Sequence, residues 1–245
     1  MADNKGSAVI VGAGPGLGAA LARRFARAEM NVAMAVRNPA RIEALAAEYC
    51  GVVHRTIAVA CDATREADVA ALFQRAGAEL GTPQLVVYNA GGAVRKGILD
   101  TSAEEFERCW KNACLGGFLV GREAVRAMLA QESTGRHRGT IIFTGATASL
   151  RGGANFVNLA VGKFGLRALA QSMAREFQPQ GIHVASVYID GQIESNQRPG
   201  RSVAERGADA VLSPDAIAES YYQLHLQRPS AWTLELDLRP YVEKF

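Results

Sequence analysis

The sequence predicts a doubly wound α/β fold: one parallel sheet of about seven strands with helices on both faces. Three observations predict it. Short, nearly continuous apolar runs rich in β-branched residues recur along the chain, as expected of strands covered on both sides. Longer Ala-rich amphipathic stretches alternate with them, the rhythm of strand–helix–strand units. The first strand also runs into the first helix through a glycine-rich turn.

The elements follow in order. Residues 7–12 (SAVIVG) form a buried strand and 17–30 a helix, then 31–36 (NVAMAV) a second strand and 39–50 a helix. A third strand is expected at 52–59, followed by a helix over 64–80 with Thr64 as its N-cap, because a threonine oxygen can accept a first-turn amide. The run QLVVYN (84–89) is the fourth strand, two helices near 102–114 and 115–131 follow, and GTIIFTG (139–145) is the fifth. A long helix over about 155–178, the strand IHVASVYI (182–189), a helix over 213–227 and a strand at 232–238 complete the series. The polar, glycine-bearing stretch 190–212 breaks this regularity and is placed to serve as a mobile substrate lid. No repeat or linker divides residues 1–245, so a single domain is expected.

Composition excludes several classes. A net charge of +3 is small and dispersed, and no nucleic-acid motif accompanies it. No run of about 18 apolar residues offers a membrane span, and the first residues lack the pattern of a secretory signal. Cys50, Cys61, Cys109 and Cys114 show neither disulfide nor metal spacing, so buried reduced thiols, no metal and a cytoplasmic setting are expected. His54, His137, His183 and His225 have no spacing that suggests a metal or a nucleophile, and structural roles are expected for them.

The turn Val11-Gly12-Ala13-Gly14-Pro15-Gly16-Leu17-Gly18 can bring bare backbone and a helix N-terminus against a diphosphate, as in Rossmann-type dinucleotide folds. Its spacing resembles that of the short-chain dehydrogenase/reductase family. Three further stretches carry the same resemblance in the expected order: Cys61-Asp62-Ala63-Thr64, Asn89-Ala90-Gly91-Gly92 and Asn112. The resemblance implies that Asp62 and Ala63 hold the adenine, that Asn89, Ala90 and Gly91 pass close to the cofactor, and that Asn112 is the catalytic-helix asparagine. It likewise implies a homodimer or homotetramer packed through the helices at 102–131 and 155–178, and a small-molecule substrate.

Cofactor choice is read after the second strand, where a carboxylate would bind ribose hydroxyls and repel a 2′-phosphate. Val36, Arg37 and Asn38 stand there instead, so NADP(H) is expected over NAD(H); otherwise Arg37 is a solvated loop residue.

The family relay uses a tyrosine, a lysine four residues later on the same helix face, and a serine thirteen residues before the tyrosine. Lys163 resembles that lysine, and the resemblance implies a second role for it on the nicotinamide ribose. Leu159 and Ala146 then occupy the usual Tyr and Ser positions, and hydrocarbon cannot pass a proton. Thr144, Thr147, Ser149, Asn158 and Tyr188 are candidate substitutes, or merely structural groups. After the sixth strand, Gly191 and Ile193 fit the family's cofactor-contacting segment, while Asp190 replaces its proline. Asp190 either pairs with Lys163 or caps the loop. Two functional readings follow: a divergent NADP(H)-dependent oxidoreductase acting on a small carbonyl or alcohol, and a nucleotide-binding sensor or scaffold without catalysis.

Overall fold

The computed structural model describes residues 6–50, 54–92, 94–131, 137–195 and 198–243. Seven strands form one wholly parallel sheet: β1 (Ser7–Val11), β2 (Asn31–Val36), β3 (Thr56–Ala60), β4 (Pro83–Tyr88), β5 (Gly139–Ala146), β6 (Ile182–Ile189) and β7 (Glu235–Leu238). Their spatial order is β3-β2-β1-β4-β5-β6-β7, so the winding reverses between β1 and β4. Ligands of open α/β sheets enter at that point, outside the carboxyl ends of the strands.

Alternation along each strand divides the core in two. Ala8 and Ile10 of β1 face α1 (Leu17–Arg27), α2 (Glu43–Glu48) and α8 (Pro214–His225). Val9 and Val11 face α3 (Glu66–Leu80), α5 (Gly116–Leu129) and α6 (Val157–Phe177). Every residue of β1 and β6 is buried, which is why these strands lack polar alternation.

Several expected boundaries shift. The helix expected at 39–50 is a 3₁₀ turn at Pro39–Arg41 followed by α2. The third strand begins at Thr56; positions 52 and 53 lie outside the described residues. Thr64 is not an N-cap: α3 starts at Glu66, and the Thr64 hydroxyl donates to Asp62 Oδ1 at 2.7 Å. The two helices expected at 102–131 form one rod, α4 (Ala103–Trp110) joined to α5 by a π-helical turn at Lys111–Leu115. A short helix not foreseen in the sequence, α7 (Val203–Arg206), lies within the 190–212 segment, whose ends are tied by the Ile193–Leu212 bridge.

Candidate functional site

The glycine turn after β1 shows two kinds of requirement. Gly12 has φ +90°, and a Cβ there would lie 2.5 Å from the Ala90 amide nitrogen. Glycine is therefore needed for the loop after β4 to abut β1. The Asn89 side-chain amide fastens that contact, donating to the Gly12 carbonyl at 3.0 Å. At Gly18 a Cβ would lie 2.5 Å from Ala13 Cα, so its absence lets α1 close onto the turn. Gly14 and Gly16 are different: a Cβ on either meets nothing within 4 Å. Internal packing does not demand glycine there, and the bare backbone faces open space. Gly16 precedes α1 without a capping side chain, so the helix presents its positive end to that space.

This turn borders a cleft of about 520 Å³ that brings together Gly12, Gly14, Arg37, Asp62, Ala63, Asn89, Ala90, Gly91 and Asn112. Gly16 borders an adjoining recess of about 290 Å³, shared with Glu194 and Ser195. Other expected contact residues do not line the cleft. The Leu17 side chain is buried in the core. Ile193 packs on the same core, and Gly191 adjoins Pro240. These glycines and an uncapped helix end fit a dinucleotide diphosphate, because an extended anionic group could approach without meeting a side chain.

Charge in the cleft is unevenly compensated. Burial alone would raise the Asp62 carboxyl, but the Thr64 amide and hydroxyl, with Arg37 and Arg65 nearby, hold it below the usual carboxylate range. Arg37 is exposed at the cleft rim, and among the described residues no carboxylate lies within 4 Å of it. Across the cleft the Tyr88 hydroxyl donates to the Asn112 carbonyl within the π-helical turn. Gly116 makes that approach feasible, since a Cβ there would fall 2.3 Å from the Tyr88 oxygen. A π-turn interrupts the usual amide ladder, and such turns cluster at functional sites.

Lys163, on α6, is buried at the margin of the cleft. Its Nζ donates to the Thr144 carbonyl at 2.6 Å and sits 3.6 Å from where a Cβ on Gly91 would be. Burial pushes its pKa down to about 8. Leu159 lies one helical turn earlier, half-buried, and Ala146 ends β5. The ion pair between Asp190 and Lys163 does not form. Asp190 instead accepts from the Thr147 hydroxyl and lies 3.3 Å from Arg239 Nη2. Its carboxylate was thus drawn to the C-terminal segment, a partner whose position the sequence order gave no means to foresee.

The remaining hydroxyl and amide candidates are dispersed. Thr144 Oγ1 lies 2.9 Å from the Tyr221 hydroxyl, on the α8 side. Ser149 accepts from the Ala146 amide at 3.1 Å, a local backbone role. The Asn158 amide donates to the Val94 carbonyl at 3.3 Å, and Tyr188 is buried with Arg167 over its ring. Sequence reasoning missed Tyr88, Cys61, Arg108, Cys109 and Arg198, all of which line the cleft. Arg108 was within reach, since it stands one helical turn before Asn112; Arg198 carries no such signal.

Comparison with known proteins agrees with this arrangement. Residues 7–199 match the family model described as short chain dehydrogenase. A short-chain dehydrogenase/reductase of Armillaria gallica is 34% identical over 190 residues, spanning 77% of this chain and 71% of the relative. A crystal structure of a short-chain dehydrogenase from Rhodopseudomonas palustris superimposes with a TM-score of 0.81 at 39% identity, covering 96% of this chain and 99% of that one. An alcohol dehydrogenase from Thermococcus sibiricus, described as complexed with 5-hydroxy-NADP, shares the fold at a TM-score of 0.84 and 22% identity, covering 98% and 99% of the two chains. The chain belongs to the short-chain dehydrogenase family of oxidoreductases.

Proposed function

We propose that the protein is an NADP(H)-dependent oxidoreductase that moves hydride between the cofactor and a small alcohol or carbonyl compound, with Leu159 and Ala146 in place of the family's Tyr and Ser. The observation that carries this reading is the open Gly14 backbone in a cleft whose Gly91 lies against buried Lys163. When bound, the nicotinamide nucleotide supplies the hydride chemistry. The chain's own residues bind and orient it. The glycine turn and the amino end of α1 receive the diphosphate, and Asp62 with Ala63 flanks the adenine. Arg37 stands ready for a 2′-phosphate, because a guanidinium can fork onto a phosphate. Lys163 and Asn112 lie toward the reacting end, with the described residues between Ile193 and Leu212 as the lid.

Titration of the purified protein with NADPH and NADH followed by ligand fluorescence, and with NADP⁺ and NAD⁺ followed by calorimetry, tests the binding half. Turnover across a panel of alcohols and carbonyls tests the chemical half. Absence of any nucleotide binding would remove the reading.

A homo-oligomer belongs to the same proposal. Leu119, Val120 and Leu166 are consumed by the chain's own core, but Trp110, Phe118, Val161 and Phe164 are 37–42% exposed along α4, α5 and α6. Sedimentation as a monomer at micromolar concentration would count against it. A cytoplasmic setting is proposed as well. The four cysteines carry free thiols, with Cys61 and Cys109 buried as expected but Cys50 exposed and Cys114 half-buried, and no described helix is long and apolar enough to cross a membrane.

A further inference from the structure

Three neighbouring strand ends converge on one carboxylate. Asp190 follows β6 and is 5% exposed. Its Oδ1 accepts the Thr147 hydroxyl, beyond β5, and its Oδ2 lies 3.3 Å from Arg239, beyond β7. Its amide donates to the Leu238 carbonyl at 2.8 Å, so backbone and side chain are both fixed. A Cβ on Gly191 would lie 2.8 Å from Pro240 Cδ, which leaves this pair little room to shift.

Thr147 stands beside Ala146 and three residues beyond Thr144, whose carbonyl holds Lys163. Unlike Asp190 it is only half-buried. Its hydroxyl proton is directed into the carboxylate, which leaves the oxygen lone pairs as acceptors. An acceptor at the carboxyl ends of the strands suits an alcohol, which has a proton to give, better than a carbonyl, which needs one.

We propose that Thr147 and Asp190 form a proton-accepting relay for alcohol oxidation, with Thr147 touching the substrate and Asp190 acting through it as a positioning and accepting residue. This rests on the oxidoreductase reading above. The substrate O–H bond breaks as its proton passes to Thr147 Oγ1, while the Thr147 proton passes to Asp190 Oδ1. The electron pair of the carbinol C–H bond leaves as hydride to an oxidised nicotinamide nucleotide. The products are the carbonyl compound, the reduced nucleotide and a neutral Asp190 carboxyl, whose proton returns to solvent.

Thr147→Val, Thr147→Ser and Asp190→Asn test the relay. In the apo-protein, the infrared difference spectrum against Asp190→Asn isolates the Asp190 carboxylate band, and Thr147→Val shifts it by removing a hydrogen bond. With nucleotide affinity unchanged, Thr147→Val lowers kcat for alcohol oxidation by about 100-fold or more, the usual scale of general acid–base assistance. Thr147→Ser restores most of that rate. The solvent deuterium isotope effect on kcat present in the wild type is lost in Thr147→Val. A Thr147→Val protein that binds nucleotide and oxidises alcohols at the wild-type rate overturns the relay alone. A wild-type protein that binds no nucleotide overturns the underlying oxidoreductase reading instead. Should Asp190→Asn fail to fold, the Val and Ser variants still decide the matter.

Discussion

Replacing Lys163 with Met should make the nucleotide-free protein more stable at neutral pH. Lys163 is 7% exposed, and its polar partner is the Thr144 carbonyl rather than a carboxylate. Its pKa falls from 10.5 to about 8 because burial penalises the charged form. Each unit corresponds to about 1.4 kcal/mol, so the charged state costs the fold about 3 kcal/mol where the lysine is protonated in both folded and unfolded chains. Methionine retains most of the apolar stem and forfeits one hydrogen bond, a loss of about 1 kcal/mol. The net gain at pH 7 is then about 2 kcal/mol. The sign with pH follows from the lowered value. Between about 8 and 10.5 the unfolded chain binds the extra proton, so wild-type stability rises with pH through that window while Lys163→Met lacks that rise. Urea unfolding of both proteins from pH 7 to 10 measures the difference. A variant less stable than wild type at pH 7, or a gap that does not narrow as pH rises, refutes the argument. The same substitution should weaken nucleotide binding, which would show that the site holds an energetically costly cation for the ligand's sake.

Other outcomes follow from the same geometry. Gly16→Val, placed where a Cβ meets nothing within 4 Å, should leave the melting temperature near wild type while lowering nucleotide affinity, measured by fluorescence titration. Gly18→Ala should instead destabilise the apo-protein by about 1–3 kcal/mol, because its Cβ would overlap Ala13, read from urea unfolding. Arg37→Glu should reduce the preference for NADP⁺ over NAD⁺ by about tenfold or more, since a charge-assisted bond to phosphate is worth about 1.5–3 kcal/mol. A ratio of dissociation constants left unchanged would remove Arg37 from the site. At the opposite end of the sheet, burial lowers the pKa of His225 to about 4, with His137 and His183 contributing, and lowers those of His137 and His183 too. His183 stacks on Trp232 at 4.9 Å. A lowered histidine value means the unfolded chain takes protons first. Stability should therefore fall as pH drops below about 6.5, costing up to about 3 kcal/mol from His225 by pH 4, visible as a shift in Trp232 emission. Thermal stability that is flat from pH 7 to 4.5 would contradict it.

The parallel sheet was legible because its strands are buried on both faces and must be apolar throughout, a local property of runs such as Ile182–Ile189. The glycine turn was legible for a similar reason. Gly12 and Gly18 answer to backbone contacts that recur wherever a strand feeds a helix in this fold, so their spacing survives in the text of the chain. Helix starts were less so: Thr64 has the right residue type for a cap, yet Asp62 two positions away captures its hydroxyl.

The site's charges belong to the tertiary structure. Asp190 and Lys163 are both near the strand ends, and the sequence leaves their pairing open. The fold sends the carboxylate to Thr147 and Arg239 and the ammonium to a backbone carbonyl. Arg198 enters the cleft from a segment with no periodicity to announce it. A residue's type and its neighbours along the chain determine which backbone conformations and which burial it tolerates. Which of several distant partners a buried charge takes depends on strand order and on where the C-terminal segment comes to rest, and only the folded chain decides that.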